Sequence, residues 1–132
     1  MARWHHRRSR QLVKRDQRAY CRDILDRIRR IESYTASGRD AFLESEYTQD
    51  AVIRCFEVIG EAVKRLDADL IERAPHIAWS DFAGFRDMLI HQYHRIKLGL
   101  VWDFAQEDLP PLKAAVTALL KNLETGDDAA RA

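Results

Sequence analysis

Apolar residues in this chain recur at intervals of three and four, and no segment alternates polar and apolar residues with a period of two. That spacing lays one apolar stripe along a helix of 3.6 residues per turn, so it selects helices over strands throughout. Tyr20, Ile24, Ile28 and Ile31 make the first stripe, with Arg22, Asp26 and Arg29 between them. Val52, Phe56, Ile59, Val63 and Leu66 make the second, widened by Ile53. Phe82, Phe85, Leu89 and Tyr93 follow, then Leu98, Val101 and Trp102, then Leu112, Val116, Leu119 and Leu123. A length of 132 residues suits one hydrophobic core. The expected architecture is therefore all-α: an antiparallel bundle of four to five helices.

Capping and breaking residues set the expected boundaries. Asp16 is read as the N-cap of the first helix, which ends near Ser37 and Gly38. A short acidic linker leads to Thr48, the expected cap of the second helix. Asp67 closes that helix or caps a short one through Leu70 and Ile71, which Pro75 stops. Ser80 is expected to cap the third main helix, and Asp108 before Pro110 and Pro111 marks the start of the last. Gly60 falls in mid-helix, where glycine costs ~1 kcal/mol relative to alanine; close approach of another helix would account for it. Residues 16–125 are read as the helical domain, 1–15 as a basic, disordered extension and 126–132 as a frayed tail.

The net charge of +1 conceals an asymmetry. Arg3, Arg7, Arg8, Arg10, Lys14 and Arg15 open the chain with no acid among them, leaving 16 basic and 21 acidic side chains for the rest, a net of −5. A basic arm can add counterion-release affinity for nucleic acid; a plain disordered extension or an upstream start codon is the preferred account. No apolar run approaches the ~20 residues of a membrane span, and none follows the N-terminal charges as in a secretory signal. Cys21 and Cys55 both lie within helical stripes and read as free buried thiols, so a cytoplasmic location is expected. There is no P-loop, no glycine-rich dinucleotide turn and no paired-cysteine zinc motif, so no cofactor is expected.

Polar chemistry concentrates between Phe85 and His94. On an ideal helix Arg86, Ile90 and Tyr93 share one side, while Asp87, His91 and His94 gather on another about 100° away. Histidine moves protons near neutral pH, and arginine presents a forked cation that matches a phosphate and the charge of its transition state. Tyrosine adds a phenolic donor or a face for a base. RNA supplies its own nucleophile in the 2′-hydroxyl, so a histidine and an arginine can cleave it without metal. Composition alone is met as well by a partly buried histidine beside an Arg–Asp surface pair. Asp87, His91 and His94 also carry a helical metal-ligand spacing, though with no flanking carboxylate motif.

The pattern Arg-x4-His-x-Tyr, here Arg86, His91 and Tyr93, resembles the signature of the HEPN superfamily, and specifically its HepT-like toxins. The likeness extends to Thr-Gln-Asp-Ala-Val-Ile-Arg at 48–54, Glu-Val-Ile-Gly-Glu-Ala at 57–62, Ile77-Ala78-Trp79, Val101-Trp102 and the run from Asp108 to Leu112. It spans about Asp16 to Leu123 and leaves the basic arm without a counterpart. The resemblance implies a helical homodimer whose motif helices line a shared cleft, and a metal-independent endoribonuclease acting as the toxin of a type II toxin–antitoxin pair. It further implies restraint by an MntA-type nucleotidyltransferase that attaches AMP to the motif tyrosine, Tyr93. By position Arg86 is the phosphate and transition-state residue and His91 the proton-transfer residue. Asp87 stands where the family often carries a polar residue that orients its neighbours.

A second reading is a helical dimer that binds a nucleotidyltransferase or nucleic acid and cuts nothing, since HEPN domains include non-cleaving members. Intact Arg86 and His91 favour catalysis over it. Trp79 and Trp102 read as core or interface aromatics rather than stacking platforms. Glu57 and Glu61 form an acidic pair one helical turn apart, facing either the cleft or solvent with Arg54 or Lys64 as partners.

Overall fold

Helix α1 (Ala2–Tyr34) buries Cys21, Ile24, Ile28 and Ile31 along one face, the stripe that the spacing marks out. The computed structural model describes the backbone of residues 2–131 and the side chains of residues 17–92 and 94–126. Helix α1 begins at Ala2 and runs through Asp16, so Asp16 lies inside it and not at its N-cap; the side chains of the basic arm and of residues 127–132 are outside that set. Gly38 follows α1 with a φ of 98°, a left-handed conformation that costs glycine nothing. Helix α2 (Arg39–Glu44) then occupies the stretch expected to be an acidic linker. Six residues are too few to show a helical period. Its Phe42 is nonetheless fully buried, and Gln49 donates from Nε2 to the carbonyls of Phe42 and Leu43 at 3.0 and 2.9 Å.

Helix α3 (Glu46–Lys64) carries the second stripe, with Val52, Phe56, Ile59 and Val63 all buried. Its cap is Ser45 rather than Thr48: the Thr48 backbone N–H donates to Ser45 Oγ at 3.2 Å. Helix α4 (Ala68–Glu72) is the short element foreseen after Asp67. Helix α5 (Trp79–His91) begins one residue before the expected cap, Ser80; Ala78 stands at the N-cap with no side-chain bond. Helices α6 (Leu98–Glu107) and α7 (Leu109–Arg131) complete the bundle, with Pro110 and Pro111 in the first turn of α7 as proline tolerates. Among the described residues, five helices of ten residues or more carry the fold, and two short ones join them.

Helix α1 lies at the centre, packed on α3 and α7, while α5 packs on the far side of α3. The direction of each neighbour follows from its end contacts. Gln17 donates to the Arg65 carbonyl at 3.0 Å and accepts from the Asp67 N–H at 2.7 Å, while Arg27 lies 4.0 Å from Cys55 Sγ, so α1 and α3 run antiparallel. Arg22 pairs with Glu124 and Glu32 with Lys113, so α7 also runs against α1. The buried Gln17 does more than set direction. It satisfies backbone groups freed where α3 ends, which would otherwise stand unpaired. No helix among the described residues is long and apolar enough to cross a membrane.

Candidate active site

The motif helix is held from below by aromatic rings. Phe85 meets Phe56 of α3 edge-on, with centroids 5.1 Å apart, and stacks on Phe104 of α6 at 4.2 Å. Phe82 meets Phe104 edge-on at 5.2 Å. Offset and edge-on pairs of this kind add roughly 0.5–1.5 kcal/mol each beyond the area they bury. Next to them α5 crosses α3 over Gly60. A Cβ there would lie 2.9 Å from the Phe82 carbonyl oxygen and would collide with the Cβ of Arg86. The glycine that costs α3 helical stability is thus what lets Arg86 settle against it.

Arg86 is 25% exposed and forms two ion pairs: its guanidinium reaches Glu61 Oε2 at 3.1 Å and Asp87 Oδ1 at 3.0 Å. Each acid has a second cation. Lys64 Nζ donates to Asp87 Oδ1 at 2.9 Å, and Arg65 Nε donates to Glu61 Oε1 at 3.1 Å. The result is a chain of alternating charge, Arg65–Glu61–Arg86–Asp87–Lys64, laid across α3 and α5. The Lys64 hydrogen bond, more than the nearby Arg86, holds the Asp87 carboxyl below its usual range. Asp87, expected to orient its neighbours, accepts hydrogen bonds from two cations, Lys64 and Arg86. The Arg–Asp surface pair of the plainer reading is also present. Glu57, by contrast, pairs with Arg54, at 3.7 Å.

His91 is the last residue of α5 and stands exposed. The Gln92 N–H closes the helix on the Met88 carbonyl at 2.9 Å, and Tyr93–Arg95 form a separate 3₁₀ turn. The ideal-helix projection therefore fails beyond His91. Tyr93 and His94 do not continue the faces of Arg86 and Asp87. The Tyr93 side chain is outside the described set, so its place rests on the backbone alone. Among the described residues no three His, Cys, Asp or Glu side chains are grouped so as to hold a metal, Asp87, His91 and His94 included. Arg86 lines a groove of about 360 Å³ with Tyr20, Arg54, Glu61, Arg65 and Ile90. His91 lines a second cavity of about 450 Å³ with Gln92, His94, Arg95 and the same Ile90. The two motif groups thus open onto adjoining spaces rather than one.

The family model described as Ribonuclease HepT-like matches residues 24–119. The chain belongs to the HepT-like ribonuclease family. The matched stretch takes in Arg86, His91 and Tyr93 and stops short of both ends, so the HepT-like core coincides with the buried stripes of α1 to α7. A Methanocaldococcus jannaschii protein provisionally named as an RNase is 38% identical over 118 residues, 89% of this chain and 98% of its own length. A Thermococcus cleftensis protein named "Probable ribonuclease HepT" is 38% identical over 110 residues, 83% of this chain and all of its own. A third, also from M. jannaschii, is named as a gamma-glutamylcyclotransferase and provisionally as an RNase. It is 40% identical over 113 residues, and the match spans about half (51%) of that longer protein. No solved structure matches.

Other readings of single residues resolve against this frame. Trp79 is core: it is buried and donates from Nε1 to the Ala74 carbonyl at 3.0 Å. Trp102 is half-buried against Phe42 at 5.7 Å. Both cysteines are free and buried, and burial pushes the Cys21 thiol up to about 11. Three partners at the motif were not singled out as site residues: Lys64, Arg65 and Tyr20. Only their one-turn spacing from Glu61, or their place on the first stripe, hinted at them.

Proposed function

We propose that this chain is an endoribonuclease that cuts RNA by attack of a 2′-hydroxyl on the adjacent phosphorus, without a metal ion. In this reading the His91 imidazole accepts the 2′-hydroxyl proton as the O2′–P bond forms and the P–O5′ bond breaks. The departing O5′ takes a proton, leaving a 2′,3′-cyclic phosphate and a 5′-hydroxyl. Arg86 donates to the non-bridging oxygens, whose charge grows at the five-coordinate phosphorus. The observation that carries the proposal is the pair of adjoining spaces: one holds the Arg86 guanidinium, the other His91, and Ile90 walls both.

The same reading makes the protein a homodimer and the toxin of a toxin–antitoxin pair. Ile90 and Leu100 are 42% and 45% exposed beside the motif, apolar area that a second copy would cover. Across such an interface the His91 of one copy and the Arg86 of the other can reach one phosphate, as an alternative to pairing within a chain. The antitoxin is a nucleotidyltransferase that adenylylates Tyr93: the phenolic oxygen takes the α-phosphorus of ATP and pyrophosphate leaves. An AMP group two residues from His91 adds bulk and negative charge where an anionic substrate must approach. Expression of wild type and His91→Ala in a controllable bacterial host tests the core of this reading. Growth arrest and RNA breakdown confined to wild type are expected. Equal growth with intact RNA and an unmodified Tyr93 would favour the non-cleaving dimer.

A further inference from the structure

The charges of the site are arranged around Glu61. Its Oε2 accepts from Arg86 and its Oε1 from Arg65, each at 3.1 Å, so a guanidinium from α5 and one from the residue that closes α3 converge on one carboxylate. That is the arrangement a phosphodiester requires: two forked cations, each donating to its own anionic oxygen. Glu61, Arg65 and Arg86 line the same groove, together with Arg54 and the acids Asp23 and Glu57, so whatever enters it meets the Glu61 carboxylate and both guanidiniums together.

Contacts other than Glu61 also hold the two helices. The end of α3 is tied down by Gln17, and α5 by the rings beneath it and the contact over Gly60. Arg65 and Glu61 are 58% and 40% exposed, and ion pairs so open to water contribute little, so exchanging one anion for another is easy. Asp87 also has a second cation, Lys64, but that pair does not line the groove that Glu61, Arg65 and Arg86 share. Of the two acids on Arg86, Glu61 is the one that an anion entering the groove meets.

We propose that Glu61 occupies, as a built-in anion, a phosphate site formed by Arg86 and Arg65, and that an RNA phosphate displaces it to take both guanidiniums. This rests on the ribonuclease reading for the source of the phosphate, and it makes Arg65 a substrate-binding residue. Glu61 keeps Arg86 in its bound position before substrate arrives, and its departure is the cost of binding.

The test is the affinity of the purified full-length protein for a short labelled 2′-O-methyl oligoribonucleotide, which has no free 2′-hydroxyl to attack. Measurements are made at one fixed salt concentration, because affinity for a polyanion varies steeply with salt. Glu61→Gln removes the competing charge and is expected to tighten binding about three- to tenfold, while Arg65→Gln loosens it by a similar factor. A strut with no such role would do the opposite at position 61, since losing it would misplace Arg86 and weaken binding. Unchanged or weaker binding by a Glu61→Gln protein with a normal melting curve overturns the proposal, as does undetectable binding by both it and wild type. If that variant does not fold, Arg65→Gln decides alone, and wild-type affinity there overturns the proposal. Cleavage of the unmethylated oligonucleotide separates the two levels. Cleavage by wild type without these shifts removes the phosphate site alone, and the shifts without cleavage remove the ribonuclease reading alone.

Discussion

Arg86 is a fork held by two carboxylates, and its geometry matters as much as its charge. A lysine keeps the charge and loses the fork. Arg86→Lys is expected to slow single-turnover RNA cleavage by about 10²-fold or more, the scale of removing a transition-state donor; a loss below tenfold would show that charge alone suffices. Asp87 sets the acid response of the same network. Its carboxyl is lowered, so its contribution is present above the ordinary value near ~4 and is lost only as pH falls through the lowered one. The stability advantage of wild type over Asp87→Asn should therefore hold at neutral pH and shrink as pH falls below about 4, and a difference that does not shrink would contradict it. The cysteines give a third check at this scale. With its thiol pushed up to about 11, Cys21 should resist alkylation at pH 8 until the protein unfolds, and Cys55, raised in the same direction, should follow it. Arg86 and His91 were legible because their residue types and spacing carry chemistry wherever they fold. Glu61 was legible only as an acid one turn from its neighbours, because its bond to Arg86 joins two helices and no local pattern encodes that.

At the scale of elements, the long helices were readable from their stripes, and the errors fall where local bonding outvotes pattern. Ser45 won the cap of α3 over Thr48 because it stands in extended backbone with its hydroxyl aimed at the Thr48 N–H. The end of α5 at His91 could not be read, since Tyr93 sits at a spacing that continues the stripe while its backbone has turned into the 3₁₀ segment. Gly60 was the clearest element-level signal, a residue whose cost implied a neighbour. Gly60→Ala carries the corresponding prediction. Alanine favours the helix by ~1 kcal/mol, while crowding of this kind costs typically about 1–3 kcal/mol. The atoms in the way are the Arg86 Cβ and a backbone carbonyl, not the tip of a flexible chain. The variant should melt lower by roughly a few degrees and lose RNA cleavage out of proportion, because Arg86 is displaced. A melting point at or above wild type with full activity would show that α5 adjusts freely.

At the scale of the whole molecule, residues 16–132 carry a net −5, so apart from the basic arm RNA binding depends on a few placed cations and, in the proposed homodimer, on the symmetry that would multiply them. The exposed Ile90 and Leu100 beside the motif give that symmetry a test: Ile90→Glu should sediment as a monomer and cleave poorly, whereas an unchanged dimer would move the interface elsewhere. The bundle itself followed from one repeated spacing, and family membership from motifs in order. The relation between chains leaves no such local mark in a single sequence. The most direct test of the account is an end-group analysis of RNA incubated with purified protein in excess EDTA. The account predicts fragments ending in 2′,3′-cyclic phosphate from wild type, with none from His91→Ala or Arg86→Ala. Cleavage that stops in EDTA, or that survives either substitution at the wild-type rate, would contradict it.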